Sequence, residues 1–405
     1  MRDDPTQPPP DKAGHAAPPT RRVQPAPSRD AAAATNASAD SRDAGAGAGG
    51  ERADGDAPPP STFRRLLRSI ITAACWLALV GAAAPVIFAW SWRIEPDHEG
   101  VLLRGLAFFA FAVRAASLHI AGAVAVAAAF AALLKRFKPA LGLALIAAFL
   151  ALPSVDDALR FRSPPAAPPG STELTVLSFN AFVGRADLDQ TIDLIDRERP
   201  DVVLFQEFAQ PFAGGVERAV ARRFPHRFHL STGGAYGTAV FSTLPFADSP
   251  GAVPTPHGLP PSDWKQLAVE LHLGDDRSLH LVNVHAPNPM APRRVVEQHA
   301  VKAALVRHGE RHADHPVLLM GDFNATAASQ LAADLRDAGW RDAHRAAGAG
   351  LAFTHAAAPR LKGLMPGVRI DHAYTNDALT VTDFRTLDWI DDSDHRPILV
   401  RIAVP

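Results

Sequence analysis

The uncharged run Ile70–Trp90, IITAACWLALVGAAAPVIFAW, constrains this chain more than any other stretch, with 21 residues and no ionisable carboxylate or base. About 20 apolar residues in a helix span a hydrocarbon core of roughly 30 Å. A helix apolar all round has no face to offer water, so the run predicts a membrane span. Arg64, Arg65 and Arg68 precede it, and Trp90 and Trp92 stand where an interfacial aromatic belt belongs. Ala115–Leu134 is a second such stretch, closed by Lys135, Arg136 and Lys138, and Leu141–Val155 is a shorter third. Val101–Val113 is apolar too, but Arg104 interrupts it and Arg114 closes it, so it reads as an extension of the second span or an interfacial piece. Ile70–Ala84 also has the basic-then-apolar form of a secretory signal, ending in the small residues Ala82 and Ala84. The long segment ahead of it and the apolar runs behind it favour an uncleaved anchor.

Basic clusters stay on the cytoplasmic side of a membrane, which places both Arg64–Arg68 and Lys135–Lys138 there. Three spans then put the N-terminal tail in the cytoplasm and everything after Val155 outside it, in an integral protein of a bacterial-type plasma membrane. If the third segment does not cross, the remainder stays cytoplasmic. Residues 1–62 are Pro, Ala, Gly, Asp and Arg with few large apolar groups, too little to offset chain entropy, and are expected to be a disordered tail. Residues 63–158 form the membrane region. Residues 159–172, containing SPPAAPPG, read as a Pro-rich linker that stands the next zone off the membrane. Residues 173–405 alternate short β-like runs with amphipathic helices, the pattern of one α/β or α+β domain. The net charge of −1 points to no nucleic-acid partner for the whole chain, and the lone Cys75 excludes an intramolecular disulfide and a multi-cysteine zinc site.

Within that domain the apolar runs end in a consistent way. Glu173–Asn180 ends in Asn180, Asp201–Glu207 in Glu207 and Leu279–His285 in His285. Pro316–Asn324, PVLLMGDFN, supplies Asp322 and Asn324, two apart on a strand and so on one face, with Phe323 turned to the core. RIDHAY carries Asp371, and DSDHRPILV offers Asp394 and His395 at the start of a final strand. Six such runs, each bounded by a carboxylate, amide or imidazole, have one simple common cause: the strand ends meet at one edge and build a polar site. Carboxylates and amides without cysteine suit Mg²⁺ or Mn²⁺. No G-x-S-x-G occurs, so a positioned water is the expected nucleophile. Asp322 would orient or deprotonate it, and an imidazole would stabilise the developing negative oxygen.

Taken together, LSFNA, Gln206-Glu207, VNVHAP, GDFNA, IDHAY and SDHRP resemble, in order, the motifs of the endonuclease/exonuclease/phosphatase superfamily, over about Leu174–Ile402. The resemblance implies a four-layer sandwich of two mixed β-sheets flanked by helices, here preceded by the membrane helices and the tail. It implies metal-binding roles for Glu207 and Asp394, with Asn180 beside the metal or phosphate. It implies that Asp322 orients the water with Asn324 as partner at the phosphate, that Asp371 holds His395 toward the scissile phosphate, and that His285 is a second phosphate contact. His372 should face the other way along its strand. The histidines of HGERHADH (His308, His312, His315) have a helical spacing that suits zinc, but so polar a segment reads as a solvated helix end.

From Ser171 onward, acids outnumber Lys and Arg by about five, a poor footprint for duplex binding. Local basic clusters remain at Arg218–Arg227 and Arg293–Arg294, and Arg369 and Arg396 lie beside the motifs, where they could meet phosphates. The expectation is a membrane-anchored phosphoesterase acting on a lipid headgroup or small phosphoester. A tethered nuclease is the alternative, and a non-catalytic binding module on the same fold a second one. No protein partner emerges.

Overall fold

All five residues of Val202–Gln206 and all six of Val317–Asp322 are buried, the pattern of strands covered on both faces rather than of alternating, half-solvated ones. They are central strands in the two sheets of the computed structural model. It describes residues 61–405 apart from 98–99, 160–162, 232–233, 255–263, 265, 275–276, 357–361 and 363–365. The tail expected over residues 1–62 therefore falls, up to residue 60, outside the described residues.

The strands are β1 (Thr172–Asn180), β2 (Val202–Gln206), β3 (His226–Ser231), β4 (Thr238–Ser242), β5 (Gly251–Ala252), β6 (Leu267–Gly274), β7 (Arg277–His285), β8 (Val317–Asp322), β9 (Arg341–Asp342), β10 (Asp371–Thr375), β11 (Thr380–Thr386) and β12 (Ile398–Val404). One six-stranded sheet runs β11-β12-β1-β2-β4-β3 and the other β5-β6-β7-β8-β10-β9. Each has one parallel pair at its centre, β1 with β2 and β7 with β8. The sheets pack face to face through Val176, Leu204, Leu281, Met320 and Val400. On the outer face of the first sheet, Phe179 and Phe205 pack against α5 (Leu188–Glu198) and α6 (Phe212–Val220). On the outer face of the second, Val284 and Leu319 pack against α7 (Pro292–Arg311) and α8 (Gln330–Asp337). The result is the expected four layers of two mixed sheets between helices. A polar bridge ties the sheets beneath the site: Gln206 Nε2 donates to Asn283 Oδ1 at 2.6 Å, and Asn283 Nδ2 donates to the carbonyls of Phe205 and Ala239 at 2.9 and 3.0 Å.

Ahead of the sandwich lie α1 (Thr62–Ser91), α2 (Val101–Ala115), α3 (Ser117–Leu133) and α4 (Phe137–Ala158); a short α9 (Ala343–Ala347) sits between β9 and β10. Two of these, α1 and α4, are long and apolar enough to cross a membrane; α2 and α3 qualify only together, as a pair bent by 70°. The bend separates their roles. Helix α2 buries Ala107, Ala110 and Phe111 in the same cluster as Val295, Leu305 and Leu335 of α7 and α8, while α3 and α4 pack mainly against each other and Cys75 of α1. Arg114, at the end of α2, donates to the Ala89 carbonyl of α1 at 2.9 Å.

The Pro-rich segment does not hold the sandwich away from the helices. Its residues 163–170 are irregular, yet the helix ends meet the domain directly: Ile94 and Gln330 exchange two hydrogen bonds of 2.7 and 2.9 Å, His119 Nε2 lies 3.0 Å from the Pro366 carbonyl, and Arg369 reaches Asp157 at 2.9 Å. The physical reason is α2, which carries apolar residues on both sides and closes a single core with helices on one flank and domain on the other. At the opposite ends, Arg136 donates to the Arg68 carbonyl at 3.2 Å, so the two basic clusters share one end of the helical group.

Candidate active site

Pairing direction explains why the polar strand ends converge. Because β1 runs parallel to β2, and β7 parallel to β8, Asn180, Gln206, His285 and Asp322 finish at matching register positions. Strand β10 is antiparallel to β8 and begins at Asp371, directly opposite Asp322. Strand β12 is antiparallel to β1, so Asp394 and His395, just before it, arrive at the same rim. The rim carries backbone strain as well: Phe182, Val183, Glu207 and Asn324 all have φ between 48° and 55°, a region most side chains avoid. The glycine of GDFN is there for space, since a Cβ on Gly321 would stand 2.0 Å from the Val284 carbonyl oxygen.

Asn180 is the hub. Its Nδ2 donates to Glu207 Oε1 at 3.3 Å and to Asp322 Oδ2 at 3.0 Å, and its Oδ1 accepts from the Phe182 amide at 2.9 Å. Asn324 gives Asp322 two more bonds, 2.8 Å from its amide and 3.0 Å from its side chain. His395 Nδ1 lies 2.9 Å from Asp371 Oδ2, and its other nitrogen is 3.8 Å from Asp322 and 4.0 Å from Asp394. His285 Nε2 is 3.8 Å from Glu207 and 3.9 Å from Asp322, and Gln266 clamps its backbone with two bonds. Ser393, which the sequence reading passed over, accepts from the His395 amide and donates to the Asn180 carbonyl, joining the β1 and β12 halves of the rim.

Charge is unbalanced here. Glu207, Asp322, Asp371 and Asp394 surround the imidazole of His395. Burial pushes Asp322 up to about 8, against the pull of His395 and with Asp371 adding to the rise. Burial also raises Glu207, which Asn180 and His395 counter and Asp394 reinforces. Burial depresses His395, but Asp371 and Asp322 outweigh it and lift the ring to about 10. Burial, with the charge of His395 adding to it, lowers His285 to about 3, the neutral form.

The donor set fits a hard divalent cation. Excess carboxylate, together with a buried Asp394 Oδ1 and a buried His285 Nε2 that have no hydrogen-bond partner among the described residues, calls for a positive or proton-rich guest. Two triads bring ligand atoms within 4.8 Å of one another: Asp322, Asp371 and His395, and His355, Asp394 and His395. Glu207 belongs to neither triad and approaches from the Asn180 and His285 side. His355 was absent from the sequence reading; its Nε2 lies 3.5 Å from Asp394 and its ring 4.8 Å from that of His395. It sits in a loop with no run or motif to flag it, and isolated bridges to Val368 and His395 bring it in.

Two sequence expectations change. Arg369 is 5% exposed and held by Asp157 and Asp342, and Arg396 donates to the carbonyls of Leu387, Phe353 and Thr386, so neither is presented to a phosphate. Asp371 accordingly pairs with His395 rather than Arg369. His372 points away as expected, 2.8 Å from the Ala325 carbonyl and edge-on to Phe323.

No curated protein matches the chain. Among solved structures it is similar to an endonuclease/exonuclease/phosphatase from Beutenbergia cavernae (21% identity, 57% of this chain, 72% of that one, TM-score 0.46). It is also similar to a family protein from Bacteroides thetaiotaomicron (15%, 58% and 99%, TM-score 0.46) and a 3′-5′ exonuclease from Neisseria meningitidis (18%, 56% and 98%, TM-score 0.45). The family model described as Endonuclease/Exonuclease/phosphatase family matches residues 177–395, from the strand that ends in Asn180 to the imidazole paired with Asp371. With every rim residue inside that span and more than half of the sequence matched, this chain belongs to the endonuclease/exonuclease/phosphatase family.

Proposed function

We propose that the protein is a membrane-anchored phosphoesterase that hydrolyses a phosphate ester with a water nucleophile and Mg²⁺ or Mn²⁺. The observation that carries this is the gathering of Asn180, Glu207, Asp322, Asp394 and His395 at one rim, in a family of phosphoester hydrolases. Glu207 and Asp394, with Asn180 beside them, would hold the cation, which when bound supplies neutralisation of phosphoryl charge. Asp322, fixed by Asn180 and Asn324, takes the proton of the attacking water. His395, kept charged by Asp371, donates to the phosphoryl oxygen where charge develops, and His285 offers a neutral ring beside it.

Two substrate classes fit, and a nucleic acid comes first. Its support is the mouth of the site, where exposed Arg185 covers the Phe182 ring at 5.2 Å and Tyr236, 43% exposed, leads through Trp264 to His285. Arginine-flanked aromatics suit unstacked bases. The second class, a lipid headgroup or small phosphoester, is favoured by a cavity where Leu118 and Pro153 of the helices meet Thr326, Phe353 and Val368 of the site loops. The full chain in detergent micelles with MgCl₂ separates them. Nicked plasmid or shortened oligonucleotide supports the first, headgroup or phosphate release alone the second, and both should stop in EDTA. If every substrate is left intact, the reading fails and a non-catalytic module takes its place.

The joining of both basic clusters at one end of the helices, with the domain at the other, supports three crossings, by α1, the bent α2–α3 pair and α4, and a domain outside the cytoplasm.

The His395–Asp371 pair makes activity and stability pH-dependent. The folded value of about 10 lies above the ordinary ~6.5, so the stabilisation is complete below about 6.5 and is lost as pH rises through about 10. Asp371→Asn should move the alkaline fall in activity down by about one to three pH units. An alkaline limb that stays in place would contradict the pairing.

A further inference from the structure

Of the histidines of HGERHADH, expected to form a solvated helix end, His315 is exposed and His312 half-buried, but His308 is not solvated. His308 and His312 lie one helical turn apart at the end of α7, and His308 is only 6% exposed. The structure adds a residue from far away in sequence: His280 of β7 stands against them, its ring centroid 3.9 Å from that of His312, 5.2 Å from His315 and 6.5 Å from His308. The His308 and His312 rings are 4.6 Å apart. Glu270, the cross-strand partner of His280 on β6, brings a carboxylate oxygen to 3.8 Å from its Nε2.

Both ring nitrogens of His308 are buried and meet no hydrogen-bond partner among the described residues. An imidazole in that condition has lost its hydration with nothing in return unless something satisfies it. We infer that His280, His308, His312 and His315, with Glu270 beside them, form a second metal site for a zinc-class transition ion. Imidazole nitrogens suit zinc, nickel and copper, whereas the catalytic rim, rich in carboxylates and amides, suits magnesium or manganese. Among the described residues only the rim triads hold three ligand atoms within 4.8 Å of one another, so binding here draws the imidazole nitrogens together by rotation about side-chain bonds. His280 and His285 are five residues apart on one strand, about 17 Å, which makes this site separate from the catalytic rim.

The test uses the full chain in micelles, stripped with chelator, with MgCl₂ in excess to occupy the carboxylate rim. CoCl₂ is then titrated and its visible ligand-field bands followed, since tetrahedral nitrogen coordination gives bands far stronger than octahedral oxygen coordination. One equivalent of tetrahedral cobalt, displaced by ZnCl₂ and not by more MgCl₂, is expected. Loss of second-shell partners alone weakens metal sites about 10–100-fold, so removing a ligand by His312→Ala or His315→Ala should weaken binding by at least about tenfold. Both side chains are partly or fully exposed, so these variants should fold. ZnCl₂ should raise the unfolding temperature of the unaltered chain and leave that of His312→Ala unmoved. Absence of saturable cobalt binding, or binding untouched by both substitutions, overturns the proposal. So does a His308→Leu variant that folds more stably and binds cobalt as the unaltered chain does, which would make the cluster mere core filling.

Discussion

Asp322→Asn should lower turnover by about 10²–10⁴-fold, the range that a positioned general base contributes, with little change in KM. The carboxylate is 1% exposed, accepts three hydrogen bonds from Asn180 and Asn324, and stands 3.8 Å from the His395 ring. Burial pushes its pKa up to about 8, so it is a strong proton acceptor once ionised. The amide that replaces it cannot take a proton and sets a donor against the two Nδ2 donors already aimed there. Initial-rate kinetics in saturating MgCl₂, beside an unfolding scan showing that the variant keeps a cooperative transition, would check this. Unaltered turnover in a folded Asp322→Asn chain would remove Asp322 from the chemistry and leave the rim a binding surface.

Arg369→Leu should cost about 3–5 kcal/mol of stability, the penalty for removing one partner of a buried ion pair. Arg369 is locked between Asp157, from the end of α4, and Asp342, from β9, at 2.9 and 3.4 Å. Burial raises the Asp342 carboxyl, yet Arg369 outweighs it and holds it at about 2, so without the guanidinium two buried carboxylates, Asp157 and Asp342, lose their shared cation. Because Arg369 is two residues from Asp371, the loss should also loosen the His395 orientation. A fall in unfolding temperature accompanied by lower activity at temperatures where the variant is still folded is the expected result. A variant as stable as the parent would mean that the helix–domain contact rests on the apolar cluster alone.

The rim was legible in sequence because its residues stand at the ends of apolar runs, and a run of buried residues broken by Gly-Asp-Phe-Asn is a local signal. Asn180, Glu207, His285, Asp322 and Asp371 were readable in this way. His355 was not, since it lies in a loop between strands and reaches His395 only through chain folding. Charge alone also misled: Arg369 and Arg396 sit beside the motifs, but backbone carbonyls and two buried acids claim their guanidinium groups first.

Periodicity, run length and residue chemistry are local properties, and they suffice for the long apolar helices, the alternation that builds two sheets and the kinds of side chain at the rim. Long-range packing settles the rest: α2 closes a core shared by the helices and the sandwich, Arg369 serves the helix ends rather than a phosphate, and His280 joins the histidines of α7. Each of these depends on which distant surfaces exclude water together, and contact of that sort leaves no trace in the order of residues along either partner.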